Sequence, residues 1–235
     1  MIQRIGSIPV ADVHHWTVEA TQRLLGHTIG ISDSDWHEPS PIPGWTRAHI
    51  ATHLARSADY LAAVADAVSA GRPQPEPPSR SERLRALELG ADRNGLEQQI
   101  DLDTSAGALN AAIERVDDWT VEILLRGRTW PLEVLPLARL HEVCVHHLDL
   151  DCGLGPDAVD PAAAAWLLRW VLNLLQDQEF PALHIEGDSL VTELGEGDRP
   201  LAVSGSDARL WAWLSGRSPA ATVSGADGLQ PALLR

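Results

Sequence analysis

The segment Pro43-Gly44-Trp45-Thr46-Arg47-Ala48-His49-Ile50-Ala51-Thr52-His53 carries the chain from a loop into a helix. Pro39, Pro41, Pro43 and Gly44 mark the loop, since proline fixes φ and gives up a donor. Thr46 then stands where a helix N-cap is needed. The helix it opens is expected to reach about Ala70, with Ile50, Leu54, Leu61, Val64 and Val68 forming one apolar stripe. His49 and His53 are four residues apart, so they share a face about 6 Å apart at Cβ. His53 lies nearer the centre of the stripe and is expected to be the more inward of the two.

Outward from this helix, the first two-thirds of the chain reads as helical. A first helix is expected from about Val10 to Gly30, with Val13, Trp16, Ala20 and Leu24 at helical spacing. The segment from Gly71 to Ser79 holds four prolines and must connect helices rather than extend one. Two amphipathic helices are expected near Ser81–Gln99 and Thr104–Trp119. Another is expected from Pro131, as a first-turn proline, to Gly153. Such helices make a bundle of four or five. Beyond Gly153 a helix from about Pro161 to Gln178 leads into short β-like pieces: Ala182–Glu186, Leu190–Leu194, Leu201–Ser204 and Ala221–Ser224. A helix from about Ser206 to Ser215 interrupts them. The fold class is therefore α+β, with a helical bundle over residues 1–153 and a smaller α+β domain over residues 154–235.

Composition removes whole classes of function. All 18 basic side chains are arginine, so the chain has no lysine for a Schiff base, for pyridoxal phosphate or for a phosphate-binding loop. Arginine stays protonated near neutrality, which leaves proton transfer to histidine, carboxylate, thiol or metal-bound water. A net charge of −15 argues against nucleic-acid tracking and against an anionic membrane surface. No apolar run approaches the length of a membrane span, and the first residues hold no apolar core of signal-peptide length. Cys144 and Cys152, about 12 Å apart along a helix axis, are too distant for a disulfide. They are expected as free thiols in a reducing, cytoplasmic compartment. The all-arginine basic set, with nine Trp against one Phe and one Tyr, has the look of a GC-rich genome.

A second i, i+4 pair, Glu142 and His146, falls on the helix expected from Pro131. Around a helical wheel Arg139, Glu142, His146 and Asp149 share one arc, flanked by Leu132, Leu135, Val143, Val145 and Leu150. Charges inside an apolar surround are costly unless they are paired or bind a metal. Cys144 points away from this arc. His14, His15, His27, His37, His141, His147 and His184 read as surface or loop residues. Two histidines and one glutamate suit Zn²⁺ with an open fourth position. An open position implies catalysis, on a water or on a small thiol.

The segment Pro43 to His53 resembles the signature of the mycothiol-dependent maleylpyruvate isomerase family, within the DinB-like helical-bundle metalloproteins. Arg139-Leu-His-Glu-Val-Cys-Val-His-His-Leu-Asp149 resembles that family's helix motif. Val203-Ser-Gly-Ser and Leu-Ser-Gly-Arg217 resemble its C-terminal segment. The resemblance implies Zn²⁺ held by His53, Glu142 and His146, mycothiol as thiol cosubstrate, and a C-terminal domain that closes over the bundle and brings Arg217 to the cleft. It implies cis–trans isomerisation of maleylpyruvate to fumarylpyruvate, a step of aromatic catabolism in actinobacteria. The substrate is then a small dicarboxylate or another electrophile, and its carboxylates need a cation. Arg217 is the first candidate for this role, as the catalytic arginine, and Arg139 and Arg47 follow. His49 and Asp149 are candidates for orienting the ligands. The competing readings are a mycothiol S-transferase acting on other electrophiles and a non-catalytic metal-binding regulatory module.

Overall fold

The computed structural model describes residues 5–176 and 178–231. The chain divides into two compact units. One is Val10–Gly153; the other takes the chain from Leu154 onward together with residues 5–9.

The first unit is a bundle of four long helices. Helices α1 (Val10–Thr28), a short α2 (Asp33–Trp36), α3 (Arg47–Ser69), α4 (Arg80–Ala91), α5 (Gly95–Ile113) and α6 (Val134–Leu150) succeed one another. Helix α3 packs on α5 and α6, and α1 packs on the same two, which closes a ring of four. Thr46 is the N-cap of α3, as the sequence predicts: its Oγ1 accepts from the His49 amide at 3.4 Å. Two apolar clusters fill the bundle. One joins Ala58, Leu61 and Ala65 of α3 to Leu109 and Ile113 of α5 and Leu135 of α6. The other joins Ala48, Ile50 and Leu54 of α3 to Leu24, Trp36, Leu102, Val143 and Leu150. Along α3 the change from one cluster to the other falls between Leu54 and Ala58.

Three sequence expectations need correction here. The helices near Ser81–Gln99 and Thr104–Trp119 are instead α4 and α5, broken at residues 92–94. Asn94 caps α5 reciprocally with Glu97, and Gly95 donates its amide to Asp33 Oδ1 at 2.8 Å. Pro131 does not open a helix. It closes a hairpin of β1 (Glu122–Leu125) and β2 (Arg128–Pro131), and α6 begins at Val134. Arg126 and Gly127 turn the hairpin with φ of 52° and 76°, the two positive angles that a two-residue hairpin loop of type I′ demands.

Helix α4 lies close on α3. A Cβ built on Gly90 would stand 2.2 Å from Thr52 Cγ2, on the backbone neighbour of His53. Gly90→Ala should cost about 1–3 kcal/mol by overpacking. Denaturant unfolding checks this, and an unchanged midpoint would contradict the close approach.

In the second unit, α7 (Pro161–Leu175) packs on α8 (Asp207–Leu214). A three-stranded sheet has the order β4 (Val191–Leu194), β3 (Leu183–Glu186), β5 (Leu201–Ser204). Strand β3 is antiparallel to β4 and parallel to β5. Leu183 and Ile185 are buried, as are Trp170, Trp211 and Trp213. The piece expected as a strand at Ala221–Ser224 is mostly a short 3-10 turn, Ala220–Thr222, with one bridge from Ser224 to Ser204. Arg209 grips Asp157 with two bonds of 2.7 Å.

Candidate metal centre

Helix α6 is buried along nearly its whole length, and its polar residues are buried with it. It therefore has to pair every charge it carries. Glu142 is the hub. Its Oε2 accepts from Ser57 Oγ at 2.6 Å and from Arg139 NH1 at 3.1 Å. Its Oε1 lies 3.3 Å from His53 Nε2, which brings α3 and α6 together at this point. Burial opposes ionisation of Glu142. The hydrogen bond and charge of His53, with Arg139 and His146, outweigh it and hold the carboxyl well below its usual range.

His146 completes the group. Its ring centroid lies 4.7 Å from that of His53, edge to face. Its Nδ1 donates to Asp149 Oδ2 at 2.9 Å, which leaves Nε2 unprotonated with its lone pair available to a metal. Burial, only partly opposed by Asp149, pushes its pKa down to about 4, so the ring is neutral at pH 7. Neutral imidazole is the form that binds a metal. His53 is one-third exposed, which opens the group to solvent on one side.

The other expected residues fall as follows. Arg139 is 3% exposed and donates to Glu142 and to the Leu54 carbonyl, so its charge is spent inside the bundle. Arg47 donates from Nε to the Leu150 carbonyl at 2.8 Å, with longer bonds to the Asp35 and Asp151 carbonyls. It caps the end of α6. Both arginines bond the protein's own groups. His49 is less exposed than His53, contrary to the wheel reading, because it folds back on the cap of α3. Its Nδ1 accepts from the Thr46 amide, and its ring stacks on Trp45 at 6.5 Å. Trp45 in turn lies 5.4 Å from the His53 ring, so the cap supports the site through Trp45. Arg217 belongs to the other unit. It follows the Schellman turn that ends α8, where the Gly216 amide bonds the Trp213 carbonyl and the Arg217 amide bonds the Ala212 carbonyl. Gly216 takes φ of 77° there, which fixes the Arg217 backbone.

The donor set of His53, Glu142 and His146 fits a borderline cation such as Zn²⁺ in type, and Asp149 supplies the partner that a ligating histidine needs. A second group stands elsewhere in the bundle: the donor atoms of His27, His147 and Cys152 all lie within 4.8 Å of one another. The sequence reading placed His27, His141 and His147 at the surface, yet His141 and His147 are 2% and 1% exposed. The chain's own thiols are poor nucleophiles. Burial pushes Cys144 up to about 12 and Cys152 up to about 11.

The four-helix bundle thus carries two histidines and a carboxylate close together on facing helices. The sequence profile of the mycothiol maleylpyruvate isomerase N-terminal domain matches residues 17–151, more than half of the chain. The chain belongs to that family. Two solved structures, of a mycothiol-dependent maleylpyruvate isomerase and of a histidine-to-alanine variant of it, are similar over the full length. They superpose with TM-scores of 0.86 and 0.87 at 21% identity, covering 99% of this chain and 100% of theirs. No curated protein sequence matches significantly. No described helix is long and apolar enough to cross a membrane.

Proposed function

We propose that this chain is a Zn²⁺- and mycothiol-dependent cis–trans isomerase acting on maleylpyruvate or a closely similar unsaturated dicarboxylate. The observation that carries the reading is the group of His53, Glu142 and His146 on facing helices, with Asp149 and Arg139 orienting two of the three. Zn²⁺ held by these three would lower the pKa of a thiol beside it and favour the thiolate. The high pKa of both cysteines supports a borrowed nucleophile.

The residues have separable tasks. Asp149 fixes the His146 tautomer, while Arg139 and Ser57 hold Glu142 in place. His53, one-third exposed, stands on the open side, where thiol and substrate arrive. The mycothiol thiolate adds to the activated C=C and pushes its electron pair onto the conjugated carbonyl. The new single bond rotates. The pair returns, the C–S bond breaks, and the trans alkene leaves with the thiolate restored. No proton or electron is consumed.

Arg217 is assigned to a substrate carboxylate, which a planar guanidinium suits. Arg217→Ala should leave bound metal unchanged and lower kcat/KM by about 10- to 100-fold, the worth of a hydrogen bond to a charged group. Steady-state kinetics with an acidic substrate check this, and unchanged kinetics would remove the role. The proposal places the chain in the cytoplasm, where a reduced thiol pool keeps Cys144 and Cys152 free. Zinc-loaded protein is expected to isomerise maleylpyruvate only when mycothiol is added; equal turnover without it would overturn the reading.

A further inference from the structure

We propose that His27, His147 and Cys152 form a second metal site, separate from His53, Glu142 and His146, that takes one Zn²⁺ per chain. His27 is in the last turn of α1, His147 in the last turn of α6, and Cys152 two residues beyond α6. His146 and His147 are neighbours in sequence, so they point about 100° apart around the helix. His146 turns to His53 on α3, while His147 turns to α1, where its Nε2 lies 3.0 Å from His27 Nδ1.

The chain is shaped to bring Cys152 to this pair. Asp151 adopts a left-handed conformation with φ of 48°, and Gly153 has φ of 110°, so the backbone doubles back at once after α6. Gly153 lies beside the His27 ring: a Cβ built on it would stand 3.7 Å from Nδ1, in ordinary van der Waals contact. All three donor atoms already fall within 4.8 Å of one another. Two nitrogens bound tetrahedrally to Zn²⁺ at about 2.0–2.1 Å sit about 3.3 Å apart. The observed 3.0 Å therefore opens by only a few tenths of an ångström. Two imidazoles and a thiolate suit Zn²⁺, and sulfur sets this site apart from the all-nitrogen-and-oxygen group.

Cobalt gives a direct test, because Co²⁺ occupies zinc sites and a thiolate ligand adds a charge-transfer band in the near ultraviolet. Metal-free, full-length protein is titrated with Co²⁺. The expected result is two ions per chain with a thiolate band, and bleaching of the band by added Zn²⁺. Cys152→Ser and His27→Gln should each bind one ion fewer and lose the band. His53→Ala should also bind one ion fewer but keep the band. Absence of the band at saturation, a band that survives Cys152→Ser, or a band lost in His53→Ala would each overturn the second site. Failure of the isomerase reading is a separate result, since it would leave the band untouched.

Discussion

Glu142→Ala is expected to empty the His53, Glu142 and His146 group of metal and to destabilise the bundle by about 3–5 kcal/mol. The cost arises from what the carboxylate leaves behind. Arg139 is 3% exposed, and without Glu142 it keeps only the Leu54 carbonyl of the partners named above. An uncompensated buried guanidinium is far worse than a pair replaced whole. Ser57 Oγ loses its acceptor as well. Glu142→Gln separates the two effects. Its amide oxygen still accepts from Arg139 and Ser57, so the fold should suffer less, while the charge that attracts the cation is gone. Zinc content and denaturant midpoints of both variants check this. A Glu142→Ala protein with full metal and a stability within about 0.5 kcal/mol of the parent, the range of ordinary surface changes, would contradict the hub assignment.

Asp149→Asn should weaken Zn²⁺ binding at this group by about 10- to 100-fold without removing a ligand. Asp149 is 1% exposed and accepts from His146 Nδ1 at 2.9 Å, which keeps the proton on that nitrogen and Nε2 available. An asparagine is neutral, so the imidazole loses basicity. It can also present its NH₂ group and force the proton onto Nε2, where the metal should bind. Competition against a chromophoric chelator reads the affinity directly. The Cys152→Ser background keeps a second bound ion out of the measurement. An unchanged dissociation constant would assign Asp149 to the helix end alone.

Much of this was legible in the chain itself. Thr46 after a proline-rich loop announced α3, and the polar arc on an otherwise apolar helix announced that Arg139, Glu142, His146 and Asp149 are buried together. Local signals of that kind survive folding because they depend on spacing within one helix. Exposure did not follow so simply. The wheel ranked His53 inside His49, but Trp45 and the cap cover His49 instead. The hairpin before α6 escaped notice because its strands are four residues each, and Arg126 rather than an asparagine or glycine takes the first turn position. The break between α4 and α5 was readable in principle, since Asn94 and Glu97 form a capping box. The arginines show the limit of counting cations: Arg139 and Arg47 are bound to the protein's own groups, a fact of tertiary contact alone. For the same reason, three residues from the ends of two helices, His27, His147 and Cys152, had no common sequence signal.

The lysine-free, acidic composition now has a mechanistic counterpart. Burial raises the pKa of Cys144 and Cys152 in the metal-free chain, and Arg139 holds Glu142 in place, so the proposed isomerase draws its activation from a metal at His53, Glu142 and His146 and from a thiol from outside. The direct measurement is the free-thiol titre during turnover, with zinc-loaded protein, excess maleylpyruvate and a small amount of mycothiol. Reversible addition predicts many molecules of fumarylpyruvate per thiol and an undiminished titre. A titre that falls one for one with substrate would make the chain a thiol transferase and contradict the isomerase account.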